Sequence, residues 1–318
     1  MSLISKALSG LASSGFFSAD FKQIRERFAK FSLFSVFDLV CRQWLILGCL
    51  VVSQTASAQI IDLNSGRQIS EQQLIDQLRQ NDVVLLGELH DNAQHHTQRA
   101  GLIKQIARHK LTVVAEHLPS QANVADQSDL LSDLEAAGFD AKAWRWPLHS
   151  SLFDSVRSTR LPLIGGNLPK GFSKQLFSHG ASALPGRLAQ SYKLAMLDES
   201  AQQRLDQDLI DGHCGKLPDK YLQPMRLVQR ATDLSMAQAL LDYQPAVLLA
   251  GNGHVRKDYG VPQVLKRLAP ELKIAAVGFI ENDQTLEELV KSSANRYDFI
   301  WISAAIKRAD PCEDFKIK

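Results

Sequence analysis

Hydrophobic residues along this chain fall into short runs that stop abruptly at glycine and then at polar side chains. Val83-Val84-Leu85-Leu86 is such a run. Four consecutive apolar positions read as a strand buried on both faces, the pattern of a parallel sheet covered by helices on either side. Gly87 ends the run, and Glu88, His90 and Asp91 follow where a strand should open into a loop. From Asn92 onward His95, His96, Arg99, Leu102, Ile103 and Ile106 recur at three- and four-residue spacings, so a helix is predicted there. The same grammar returns at 246–254, where Ala246-Val247-Leu248-Leu249-Ala250 leads into Gly251-Asn252-Gly253-His254. Thr112–Ala115 ends in Glu116-His117, and Leu161–Ile164 ends in Gly165-Gly166-Asn167. Strands Ile274–Gly278 and Phe299–Ser303 are predicted near the C-terminus.

Between these strands the periodicity is helical. Residues 59–81 read as a short lead-in and a helix capped by Ser70. A further helix spans about Asp126–Ala137. Residues 168–244 contain no convincing strand and read as helices: Lys170–Ser178, Pro185–Tyr192, Ser200–Gly212 and a long one over Asp219–Tyr243. The fold class expected is therefore α/β, a largely parallel sheet flanked by helices, with an all-helical insertion at about 168–244 over the carboxyl ends of the strands. Residues 59–318 form one domain on this reading.

The N-terminal 58 residues differ. The run Trp44–Val52 has nine apolar residues after Arg42, too few to span a bilayer. Ala56-Ser57-Ala58 follows as a small-x-small cleavage site, which makes a secretory signal peptide cut after Ala58. About 40 residues precede the apolar run, more than such a signal needs, so translation is expected to start near Leu39 or Val40. A competing reading takes Ile46-Leu47-Gly48-Cys49 as a lipobox with a lipid anchor at Cys49. Export places the protein in an oxidising compartment, where Cys214 and Cys312 become a natural disulfide pair. The alternative for Cys214, beside His213, is a free thiol or a metal ligand.

Charge narrows the function classes. Residues 1–58 hold six Lys/Arg and three Asp/Glu, leaving 30 and 31 in the rest. That near-neutral body argues against a nucleic-acid partner.

Four strand ends carrying Glu/His or Gly/Asn clusters point to one shared site. Glu88, His90, Glu116 and His254 suit a divalent metal, and equally suit metal-free acid–base catalysis by a histidine tuned by a carboxylate. Asp91, His95, Asn167, Arg230 and Asn252 are expected to line that site. His96 reads as a solvated helix position, Trp144 and Trp146 as core cover, and His109, His149 and His179 as surface residues.

The ordered motifs Gly-Glu-Leu-His-Asp-Asn at 87–92, Ala-Glu-His-Leu-Pro at 115–119, Gly-Gly-Asn-Leu-Pro at 165–169 and Gly-Asn-Gly-His-Val-Arg at 251–256 resemble the ChaN family. His213-Cys214-Gly215 and Gly260-Val261-Pro262 extend the resemblance over about residues 60–315. That family belongs with Tiki-type metalloproteases, TraB proteins and erythromycin-esterase-like hydrolases. The resemblance implies an exported, periplasmic or envelope-associated haem-binding protein serving haem and iron uptake. It also implies a cofacial haem pair at a homodimer interface with a tyrosine ligand, and an outer-membrane haem receptor as a partner. Tyr192, Tyr221, Tyr243 and Tyr259 are candidate ligands, with His213 a further one. Tyr221 leads because Met225 and Val228 follow on its helix face, and Tyr259 comes next. The alternative function is a metal- or His-dependent hydrolase working through Glu88, His90, Glu116 and His254. A third is a scaffold whose region 168–244 docks a protein partner.

Overall fold

The structure is a computed structural model and describes residues 59–313. The signal segment, Cys49 and the expected cleavage site lie outside the described residues. Eight strands form one sheet in the order β2-β1-β8-β7-β3-β6-β4-β5. They are β1 (Gln59–Asp62), β2 (Arg67–Ile69), β3 (Val83–Leu86), β4 (Thr112–Pro119), β5 (Leu163–Asn167), β6 (Ala246–Leu249), β7 (Ile274–Asn282) and β8 (Phe299–Ala304). Strands β3 to β8 are parallel, and β1 and β2 add an antiparallel edge.

Ten α-helices flank the sheet among the described residues. Four lie with one face: α1 (Glu71–Leu78), α2 (Ala93–Ile106), α3 (Leu130–Ala136) and α4 (Ser150–Thr159). The others are α5 (Phe172–His179), α6 (Gly186–Leu194), α7 (Glu199–Gly212), α8 (Asp219–Asp242), α9 (Val261–Leu268) and α10 (Leu286–Ser293). Period-two alternation divides the inner strands between the two cores. Val84 and Leu86 pack with Leu102, Ile103 and Phe153 on one side; Val83 and Leu85 pack with Leu234, Leu240 and Val264 on the other. Burial on both faces is why β3 has no polar position at all.

The sequence places these elements well, with three differences. Residues 59–69 form β1 and β2 rather than a lead-in; the two pair with each other, and β1 pairs on its other side with β8. Helix α4 was not expected, although Leu152, Phe153 and Val156 recur at helical spacing and are fully buried. Helix α10 was also missed, despite the capping box of Thr285 and Glu288 that starts it.

The insertion between β5 and β6 is all-helical. Its last helix, α8, runs along the second face of the sheet and packs on β4, β5 and β6. It reaches the carboxyl end of β6, where Asp233 meets His254. Cys214 and Cys312 are joined by a disulfide across 98 residues, with Cα atoms 5.5 Å apart.

Candidate functional site

Two polar clusters occupy the carboxyl ends of β3, β4 and β6, and they meet at Gly251. The strand ends are tied together first by backbone. The Asn252 amide donates to the Glu88 carbonyl oxygen at 2.9 Å. The Asn252 side chain then clips onto β7, donating to the Phe279 carbonyl at 2.6 Å and accepting from its amide at 3.2 Å. Asn167 supports β4 by donating to the Glu116 carbonyl at 2.9 Å. Both asparagines therefore set the loops that present the site.

The first cluster surrounds Glu88, which is 1 % exposed. A carboxylate so enclosed needs compensation, and Arg99 of α2, fully buried, forms an ion pair with Glu88 Oε2. His96 Nδ1 lies 3.0 Å from the same oxygen. The other oxygen, Oε1, faces His90 Nδ1 at 2.6 Å, His117 Nε2 at 3.4 Å and His149 Nε2 at 3.5 Å. His117 comes from β4 and His149 from the residue before α4. Trp144 covers the group, its ring 4.2 Å from that of His117 and 5.1 Å from that of His90. Burial lowers the pKa of His96 to about 4 and of His149 to about 2, and holds His117 well below the usual imidazole value with the Arg99 charge adding to the effect. Burial likewise pushes Arg99 down to about 9, against the pull of the Glu116 charge. These three histidines are neutral at neutral pH, and Arg99 carries the positive charge.

The second cluster is ionic. Glu116 Oε2 accepts from the Gly251 amide at 2.7 Å, and Oε1 lies 3.5 Å from His254 Nε2. His254 Nδ1 sits 2.7 Å from Asp233 Oδ1 on α8. Burial opposes charge on His254, but the carboxylates of Glu116 and Asp233 raise its pKa to about 10. Burial alone would raise Glu116; the His254 charge overcomes it and holds this carboxyl well below the usual range. Arg230 anchors the outer side, reaching Asp233 at 3.5 Å and the carbonyls of Tyr259 and Ala195 at 2.5 and 2.9 Å. A Cβ built on Gly251 would lie 2.9 Å from His90 Nε2. Glycine is required there so that the His90 ring can reach across the β6 turn.

The structure thus brings Glu88 and His90 together, and Glu116 and His254 together. Asp91 turns away and pairs with Arg308 at 2.6 Å. His95 faces β7 and β8 instead of the cluster: it accepts the Leu89 amide at Nδ1, 3.0 Å, and donates from Nε2 to Ser303 Oγ, 2.9 Å. It shapes the Glu88–His90 turn from behind, and burial lowers its pKa to about 4.

Two expectations are corrected. His96 is not solvated, nor is His149 a surface residue, because both close the pocket around Glu88. The signal for His96 was available: His96, Arg99, Ile103 and Ile106 share one helical stripe, so the polar pair continues a buried face. For His149 the hint was the apolar stripe of Leu152, Phe153 and Val156 that follows it. Trp144, expected as core cover, covers the histidines.

The haem-ligand candidates Tyr259, Tyr221 and His213 have neighbours of their own. Tyr259 is 3 % exposed and its hydroxyl donates to Asp208 Oδ2 at 2.5 Å, with Arg256 over its ring. Burial raises its pKa far above that of free phenol. Such a phenol offers no open face to a macrocycle, so the expectation for Tyr259 does not fit its position. Tyr221, in the first turn of α8, is half-buried, with its ring 5.7 Å from that of Phe177 and 4.8 Å from Lys220 Nζ. Phe177 is among the large hydrophobic side chains left exposed. His213 is also half-buried at the end of α7, and its Nδ1 donates to the Leu209 carbonyl at 2.6 Å.

A parallel α/β sheet with paired Gly-x-x-His turns at its strand ends and a helical insertion defines a class of strand-end Glu/His proteins. Within it, the chain belongs to the ChaN family of haem-binding uptake proteins in the Tiki superfamily, whose profile matches residues 74–265. Among solved structures it is similar to ChaN of Campylobacter jejuni, described as binding haem cofacially. The identity is 21 %, the TM-score 0.62, and the match covers 77 % of this chain and 96 % of that one. Weaker likenesses are to the type III effector HopBA1, 11 % identical over 73 % of this chain and 91 % of that one, TM-score 0.35, and to a Bacillus cereus protein, 12 % identical over 66 % and 68 %, TM-score 0.36. No curated protein matches the sequence.

Proposed function

We propose that this is an exported haem-binding protein of haem and iron uptake, holding haem on the surface around Tyr221 and working as a homodimer. The observation that carries the reading is the ChaN family match over residues 74–265. Tyr221, Met225 and Val228 lie at i, i+4 and i+7 on α8 and share one side of the helix. With the exposed ring of Phe177 they offer an apolar, aromatic platform, and Lys220 adds a cation suited to a propionate. Phenolate ligation of ferric haem is ordinary chemistry for a tyrosine in such a place. Cofacial pairing of two haems between subunits, release to an outer-membrane receptor, and export by the N-terminal signal or anchoring at Cys49 complete the proposal. The disulfide agrees with an oxidising compartment, and no helix among the described residues is long and apolar enough to cross a membrane.

The test is the visible spectrum of haem added to the wild-type protein and to Tyr221→Phe. The expected result is a tyrosinate charge-transfer band in the wild type that the variant lacks. An unchanged spectrum in Tyr221→Phe would remove Tyr221 as ligand and turn attention to His213.

One feature favours the hydrolase alternative as a second reading. The His90 side chain is 48 % exposed beside a His254 held protonated between Glu116 and Asp233. An exposed imidazole and a protonated one near the same Gly251 turn suit acid–base hydrolysis of an ester or amide. Turnover of a panel of such substrates, lost in His254→Gln, would support it; no turnover by the wild type would reject it.

A further inference from the structure

The side of the Glu88 pocket that faces His117 and His149 has a defect as a purely organic hydrogen-bond network. His149 Nδ1 lies 3.0 Å from the Trp144 carbonyl oxygen and can only donate to it. A neutral imidazole that donates from Nδ1 carries a bare lone pair on Nε2. That lone pair points at Glu88 Oε1, a carboxylate oxygen with lone pairs of its own, 3.5 Å away. Two acceptors facing each other in a buried space repel unless something positive lies between them. His149 Nε2 has no hydrogen-bond partner, and neither does either ring nitrogen of His117. His117 and His149 are 3 % and 1 % exposed, so water at the surface does not supply the missing partner.

Distances point the same way. Glu88 Oε1 is 3.4 Å from His117 Nε2 and 3.5 Å from His149 Nε2, too long for hydrogen bonds. Four ligands set tetrahedrally about zinc at its usual bond lengths are separated by roughly 3.3–3.4 Å along each edge. The two edges from Glu88 Oε1 to the imidazoles match that spacing, and ligand atoms of all three residues lie within 4.8 Å of one another. The surroundings fit as well. The Trp144 carbonyl fixes the His149 tautomer from behind, the orientation that outer partners impose on metal-bound histidines. Arg99 occupies Glu88 Oε2, while Oε1, already met by His90 Nδ1 at 2.6 Å, turns its remaining side to the two imidazoles.

We propose that Glu88, His117 and His149 form a buried site for one divalent transition-metal ion of the zinc class, beneath His90 and Trp144. This set shares only Glu88 with the strand-end constellation of Glu88, His90, Glu116 and His254, and it is independent of the haem reading. Imidazole and carboxylate donors in this ratio suit Zn²⁺ and its neighbours over Mg²⁺ or Ca²⁺, which prefer oxygen alone.

The experiment uses the haem-free full chain, stripped with chelator and titrated with Co²⁺ as a spectroscopic probe, then with Zn²⁺ in competition. One Co²⁺ per chain with the strong visible bands of a four-coordinate N/O site, displaced by one Zn²⁺, is expected. His149→Gln and His117→Gln should each weaken Zn²⁺ binding by about a hundredfold or more. His109→Gln, at an exposed position, should leave it unchanged. If either site variant fails to fold, the wild type carries the test alone, and its melting temperature must rise with Zn²⁺ and fall back with chelator. No saturable Co²⁺ or Zn²⁺ binding, or an unaltered affinity in His149→Gln, overturns the proposal. So does loss of the metal in His254→Gln with retention in His149→Gln, which would place it in the Glu116 half.

Discussion

Arg99 and Glu88 form a buried pair whose two members should be far more costly to lose singly than together. Both side chains are completely inaccessible, and they are in direct contact. Replacing Arg99 with Met keeps the volume and leaves the Glu88 anion without its cation. Breaking a buried ion pair from one side costs about 3–5 kcal/mol, because the remaining charge is stranded. The three buried histidines around it cannot substitute, since burial keeps His96, His117 and His149 neutral. Glu88→Gln strands the guanidinium in turn and should cost a similar amount. The double variant Arg99→Met/Glu88→Gln carries no buried charge there, so it should recover most of the loss. Urea unfolding in the presence of chelator measures all four proteins. With a slope of about 3 kcal/mol per molar, each single variant should lose about 1–1.7 M in midpoint. The coupling energy of the cycle should be several kcal/mol. Single effects that sum to the double within about 0.5 kcal/mol would refute the idea that the two side chains are one neutralised unit.

Other consequences follow from the same geometry. His254 is raised from 6.5 to about 10, so the stability it contributes is fully present below pH 6.5 and is lost as pH rises through about 10. That gap corresponds to at most roughly 4–5 kcal/mol. Urea midpoints of the wild type should fall between pH 6 and 10, those of His254→Gln should not fall, and equal slopes would contradict the charge assignment. Gly251→Ala places a Cβ 2.9 Å from His90 Nε2; the His90 ring must swing away, which NMR of its imidazole resonances should show with the fold retained. Cys312→Ser opens a 98-residue loop and should destabilise the chain by about 4–5 kcal/mol in the chain-entropy model, read as a fall in melting temperature; an unchanged melting temperature would mean that the unfolded chain gains nothing from release.

Much of the sheet was legible because fully buried parallel strands write themselves as unbroken apolar runs. Val83–Leu86 and Ala246–Leu249 have no polar interruption, and all eight residues are buried. Strands β1 and β2 were not legible, since β1 is held by β8, some 240 residues away in sequence, and β2 only by β1. The strand-end residues Glu88, His90, Glu116 and His254 were visible from the glycine turns beside them. Asp233 lies mid-helix in α8, and nothing local reveals that it meets His254 across the sheet end. The inner histidine shell was the larger omission. His117 was read only as the neighbour of Glu116 at its strand end, and His149 as a surface residue, because a single histidine carries no periodicity of its own. Their convergence on Glu88 is a product of β4 and α4 packing around it. His95 shows the reverse error: its place next to the turn suggested a lining role, while its two hydrogen bonds point it at Leu89 and Ser303.

The most direct test of the central claim is a haem titration of the purified protein, followed by Soret absorption. A saturable shift with a fixed ratio of haem to chain is expected, carried with the protein through gel filtration. A shift that grows without saturating, or haem that separates from the protein on the column, would contradict it.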